Sequence, residues 1–133
     1  METIKYLMAL LGAMVGYVWG EIDGLFIALI IFIVVDYVTG VMLAIYERKL
    51  SSEVGFKGIF KKVLVLVLVA IANVIDSYIL KSGSPCRTSV IFFYLSNEGI
   101  SILENSASMG LPIPEKLRAI LEQLHDVDNF VNK

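Results

Sequence analysis

Residues 25–46 read LFIALIIFIVVDYVTGVMLAIY. Positions 25–35 carry no polar side chain. As a helix rising about 1.5 Å per residue, the stretch reaches about 33 Å, enough to cross a hydrocarbon core of about 30 Å. Asp36 interrupts it near the middle. An apolar run of this length with one carboxylate inside it predicts a transmembrane helix. That reading decides the fold class: an all-α, small integral membrane protein.

The rest of the composition agrees. The chain has 133 residues, of which 57% are hydrophobic and 18% charged, with a mean hydropathy of +0.78. Soluble domains carry about 45–50% apolar and about 25% charged residues, so a polar coat would be too thin here. The apolar content excludes disorder, and Gly 10, Pro 3 and Cys 1 exclude collagen-like and disulfide-framework chains. A net charge of −2 leaves no basic excess for nucleic acid, so no nucleic-acid partner is expected. Cys86, the lone cysteine, cannot form a disulfide within the chain. The N-terminus lacks the pattern of a cleavable signal peptide.

Working outward, residues 4–20 form a shorter apolar stretch, about 24 Å as a helix. Gly12, Gly16, Gly20 and Gly24 recur every four residues there, a spacing that lays a glycine groove along one helix face for close packing in lipid. Tyr17 and Trp19 suit an interfacial belt. Glu21 and Asp23 make an acidic turn. On the other side, residues 47–62 read as a polar loop in which Arg48, Lys49, Lys57, Lys61 and Lys62 outnumber Glu47 and Glu53. The positive-inside rule expects this basic loop, and with it the N-terminus, to be cytoplasmic.

Residues 63–80 are expected to form the next helix. The valine-rich start would suit a strand in water, but a lone strand cannot satisfy its backbone in lipid. Residues 89–109 have mixed character. Asn97, Ser101, Glu104 and Ser108 share one helical face with Glu98 and Asn105 at its flank, and Leu95, Gly99, Ile102 and Leu103 lie opposite. A fourth span lining water and a helix lying in the interface both fit, leaving three to four membrane helices. After the break at residues 110–114, Leu117, Ile120, Leu121, Leu124 and Val131 oppose Lys116, Arg118, Glu122, Gln123 and Asp126. This predicts an amphipathic tail helix able to pack on a partner or on the membrane surface. The domain reading is thus a membrane helical domain over 1–110 and a tail over 111–133.

Intramembrane carboxylates are costly and need a reason. Asp36 lies with Thr39 and Gly40, Asp76 with Asn73 and Ser77, and Glu104 with Asn97 and Ser101, so three helices each offer a polar stripe. Two readings stay open: hydrogen-bonded glue inside a bundle, or the water-facing lining of a many-copy pore. Catalysis finds no constellation. His125 sits in the polar tail, Cys86 has no second thiol, and Glu98 and Glu104 point about 120° apart on a helix. Gly55-x-x-Gly58 with Lys57 lacks the Walker pattern. No enzyme activity, metal or cofactor is expected.

The order of the pieces carries a resemblance. Asp36-Tyr-Val-Thr39-Gly40 is followed by Lys49-Leu-Ser51-Ser52, by Gly55-Phe-Lys57-Gly58-Ile-Phe-Lys61-Lys62 and by Asp76. Asn97-Glu98-Gly99-Ile-Ser101-Ile-Leu-Glu104-Asn105 and Gly110-Leu-Pro112-Ile-Pro114 come next. Over residues 25–122 the chain resembles the toxin-secretion/phage-lysis holin family of Gram-positive bacteria and their phages. The resemblance implies a multi-pass protein of the bacterial cytoplasmic membrane. Such a protein self-assembles in many copies among the lipids and opens timed lesions that release an endolysin or a large toxin, without a cofactor. The glycine repeat lies largely outside the matching region. Met1 and Met8 bracket Glu2 and Lys5, so a second start at Met8 would give a shorter product lacking a charge that must stay inside, and a dual-start antiholin is a further expectation. The competing expectation is a non-lytic membrane scaffold or a small transport or channel subunit.

Overall fold

The computed structural model describes the backbone of residues 1–131 and the side chains of residues 1–124. His125, Asp126 and Val131, named above for their side chains, lie outside the described side chains. In chain order the elements are α1 (Glu2–Trp19), α2 (Gly24–Tyr46), α3 (Ser52–Val74) with a π-helical continuation (Ile75–Leu80), α4 (Pro85–Ser108) and α5 (Glu115–Val131). No strand forms among the described residues. Gly24–Tyr46 and Ser52–Leu80 are long and apolar enough to cross a membrane. The other helices fall outside that measure.

Local chemistry sets the boundaries. Asp23 caps α2, its Oδ1 accepting from the Phe26 N–H at 2.9 Å. Ser51 caps α3 in the same way through the Val54 N–H. Pro85 stands in the first turn of α4, where its missing N–H costs nothing. Gly20, at φ +84°, makes the sharp exit from α1.

The segment expected to be a loop over 47–62 is corrected here. Only residues 47–51 connect the helices, and α3 begins at Ser52. The Ser51 cap, Glu53 in the first turn and a Lys57–Glu53 ion pair one turn apart at 3.3 Å support helix where charge alone suggested a loop. Gly55 and Gly58 give α3 its close approach to α2. A Cβ on Gly58 would lie 3.3 Å from the Tyr37 ring.

α2, α3 and α4 form the bundle. Asp23 lies beside Arg87 and Asp36 beside Asn105, so α2 and α4 run parallel. Lys62 lies level with Asp36, and Asp76 level with Arg87, so α3 runs opposite to both. α4 is central, touching α2, α3 and α5. Phe26, Leu29 and Ile33 of α2 meet Val65 and Val69 of α3 and Ile91 and Leu95 of α4 in the core. The spacing of three and four residues within each helix is the period of one buried face.

The outer surface is the apolar one. Ile27, Ile31, Val34 and Val38 on α2 and Leu64, Leu68, Ile71 and Val74 on α3 are exposed, whereas Asp36, Asn73, Asp76, Arg87 and Glu98 are buried. A surface of this kind suits hydrocarbon and not water.

α5 is not a free tail. Leu121 is buried, and a Cβ on Gly99 of α4 would meet it at 2.8 Å and Phe32 of α2 at 3.1 Å. The missing side chain at Gly99 is what admits α5 to the bundle. Leu117 and Ile120 remain exposed. α1, in contrast, meets the bundle mainly along α3 and at its own C-terminal end, where Arg87 of α4 reaches the Trp19 carbonyl. Its residues 1–15 are exposed throughout.

Candidate functional site: an ionic cluster inside the bundle

The polar residues collect at two levels. At the first, Lys62 of α3 reaches across to two other helices. Its Nζ donates to Asp36 Oδ2 on α2 and, at 2.5 Å, to Glu98 Oε2 on α4. The side chains of Asp36 and Glu98 are 8% and 7% exposed, so one ammonium serves two carboxylates away from solvent. The other oxygen of Asp36 accepts from Asn105 Nδ2 at 3.1 Å, and the same amide reaches Thr39 Oγ1 at 3.0 Å. Thr39 donates back to the Val35 carbonyl one turn earlier. Two clefts flank this cluster: one of about 220 Å³ bounded by Tyr37, Gly58 and Asn105, and one of about 470 Å³ bounded by Leu68, Tyr94 and Asn97.

Each charge here would be costly alone in an apolar interior. Paired and hydrogen-bonded, the cluster offsets that desolvation and ties three helices together. It is stable only while the helices stay in register, because removing one partner strands the others.

At the second level, Asp76 is 1% exposed and accepts from the backbone N–H of Cys86 at 3.0 Å and of Arg87 at 2.7 Å. Ser84, in the cap position of α4, makes no side-chain cap bond. Asp76 therefore satisfies the open end of α4 from another helix. Arg87, also buried, spreads its guanidinium over the Trp19 and Glu21 carbonyls and Asp23 Oδ2, with the Phe26 ring 5.6 Å away. Asn73 Nδ2 donates to the Val18 carbonyl at 3.0 Å. These two side chains occupy carbonyls that the end of α1 leaves open. Asp23 lies outside the helices. The Phe26 N–H, and then the Arg87 guanidinium, hold its carboxyl below the usual carboxylate range.

Of the residues picked out from sequence, Asp36, Thr39 and Lys62 come together at the first level and Asn73 and Asp76 at the second. Asn97 and Ser101 are half-buried beside the first, whereas Glu104 is exposed and outside it. Arg48, Lys49, Lys57 and Lys61 are exposed. Gly20 serves a turn, its absent Cβ leaving room for Asn73 Oδ1. Gly12, Gly16 and Gly24 have nothing within 4 Å of a built Cβ, so among the described residues no helix fills a groove there.

Comparison with known proteins adds the decisive observation: residues 13–126 match the family model of the bacteriophage holin family. The chain belongs to that family. This holin-family chain is 46% identical to an uncharacterized protein of Listeria monocytogenes, over 96% of its own length and 99% of the relative's. It is 42% identical to an uncharacterized 14.9 kDa protein of Clostridium perfringens, with 92% and 93% covered. A protein of Bacillus phage phi105 described as a probable holin is 34% identical, with 85% of this chain and 80% of that one covered. No solved structure matches the chain. Family membership and the two apolar helices assign this holin-family chain to a membrane.

Sequence reasoning misses three residues of the site: it sets Glu98 at the flank of a stripe and Lys62 in a loop, and it does not single out Arg87. The available signal was spacing: Lys62 precedes Val65 and Val69 by three and seven residues, which puts it on their helical face. Arg87 carried no signal, because its partners are backbone carbonyls far away in sequence.

Proposed function

We propose that this chain is a working holin: it accumulates in many copies in the bacterial cytoplasmic membrane and opens lesions that let an endolysin, or a large toxin, pass. The observation that carries the reading is the Asp36–Lys62–Glu98 cluster inside a bundle whose outer surface is apolar. Charged groups kept in membrane helices need a use. In the closed bundle they pair, and when helices separate within a ring of copies they meet water instead. Two bundle states with opposite exposure of the same charges are what a timed opening needs. A chain with so few helices cannot enclose a wide pore by itself, so many copies are required.

In this reading the N-terminus and residues 47–51 face the cytoplasm, by the lysines and arginine near them. The antiparallel run of α2, α3 and α4 supports a multi-pass arrangement in which α4 is a further span, shielded from lipid by its neighbours. Initiation at both Met1 and Met8 would yield two products that differ by Lys5, as a dual-start holin and antiholin pair would, and detection of a single product in expressing cells would dispose of that idea.

Inducible expression beside a cytoplasmic endolysin tests the reading. The expected result is an abrupt collapse of membrane potential followed by lysis. Slow, mild growth inhibition with the potential intact would favour the scaffold or transport subunit instead.

A further inference from the structure

We infer that Lys62 is the latch of the bundle, and that the strength of its contacts to Asp36 and Glu98 sets the copy number at which the lesion opens. The inference rests on the holin reading and deepens it by naming what holds the closed state.

Lys62 differs from the other lysines around it. Its side chain is 20% exposed, against 71% for Lys57 five residues earlier on the same helix. Its Nζ is the point at which α2, α3 and α4 are joined by charge. The approach is built in by small residues: Gly55 and Gly58 bring α3 against Tyr37, and a Cβ on Gly40 would lie 3.7 Å from the Asn105 amide.

Without the ammonium, Asp36 and Glu98 would be two carboxylates confined to one small space, with Asn105 still donating to Asp36. Held together in a low dielectric with no cation, they either repel or take up a proton, and in both cases the charge contact that ties α3 to α2 and α4 is lost. In water the same two carboxylates are solvated and scarcely interact. Lys62 therefore stabilises the closed bundle and has little effect on the open one. A group with that differential shifts the closed–open balance. Asn105 adds to the same balance through Asp36 and Thr39.

The test compares wild type, Lys62→Gln, Lys62→Arg, Asn105→Ala and Lys61→Gln in dye-loaded vesicles, at matched amounts of inserted protein. Lys61→Gln removes the same charge from the neighbouring exposed position. Losing a charge-assisted contact is worth roughly tenfold in a two-state balance. Lys62→Gln is therefore expected to release dye at a protein-to-lipid ratio roughly tenfold below wild type. Asn105→Ala, which keeps every charge and the helix, should shift in the same direction by less. Lys62→Arg and Lys61→Gln should stay near wild type. In cells the same order should appear as earlier lysis. An equal shift for Lys61→Gln, or no shift for both Lys62→Gln and Asn105→Ala, overturns the latch and leaves the holin reading intact. If Lys62→Gln does not insert, Asn105→Ala alone decides. Vesicles that retain dye with wild type overturn the holin reading, and the latch with it.

Discussion

Asp76 and Arg87 are joined through the backbone: the Asp76 carboxylate accepts the Arg87 N–H at 2.7 Å while the Arg87 side chain turns away to the end of α1. One fully buried acid thereby caps the helix that carries the chain's buried guanidinium, and α1, α3 and α4 are tied at one end of the bundle. Both of its oxygens accept from α4, which assigns Asp76 to the architecture and separates it from the cluster around Asp36.

Asp76→Ala should destabilise the fold by about 1–3 kcal/mol, the cost of leaving buried helix-end N–H groups without an acceptor. Asp76→Asn keeps one carbonyl oxygen and should cost less. Thermal unfolding in mild detergent, followed by helix content, measures both.

Asp36→Leu should leave insertion intact and abolish permeabilisation. The substitution removes the carboxylate whose hydration favours opening and, unlike loss of Lys62, leaves a charge-balanced Lys62–Glu98 pair to hold the closed bundle. Dye release and lysis timing check this, and normal timing in the variant would contradict it.

Gly99→Val should release α5 from α4. A Cβ there already lies 2.8 Å from Leu121 Cδ2, and a larger side chain adds a clash worth about 1–3 kcal/mol. Limited proteolysis reads the outcome as faster cleavage within Glu115–Val131.

The Asp23 contact should give stability a mild acid dependence. Its carboxyl is held below the ordinary aspartate range, first by the Phe26 N–H and then by Arg87. The folded state thus binds the proton less readily than the unfolded chain. The contribution is complete above about pH 4 and is lost as pH falls through the folded value. The Asp23 side chain is 40% exposed, so solvent screening keeps the effect below about 1 kcal/mol. Asp23→Asn should flatten that part of the stability–pH curve measured by denaturant titration in detergent.

How much could be read beforehand differs from residue to residue. α2 was legible almost to its ends, because an unbroken apolar run in residues 25–35 has few other solutions. The start of α3 was not. The lysines over residues 57–62 look like a loop when charge is equated with solvent, and only the Ser51 cap and the packing of Gly58 on Tyr37 reveal a helix. The polar residues Asp36, Asn73 and Asp76 were visible as exceptions to apolar runs, but their division into two separate levels was not. Periodicity puts Glu104 on the polar stripe and Glu98 at its flank, yet Glu98 is the buried one and Glu104 is exposed.

Sequence by itself determined the all-helical class, the apolar lengths of α2 and α3 and the presence of charges that lipid would not tolerate unpaired. Those follow from local composition and period, which any single helix carries within itself. Tertiary structure decided the partners: Lys62 with Asp36 and Glu98, Asp76 with the start of α4, Leu121 with Gly99. Such pairings depend on which helix faces join and at what height. That is set by small residues permitting close approach and by long-range electrostatic matching, neither of which is written in the period of any one segment.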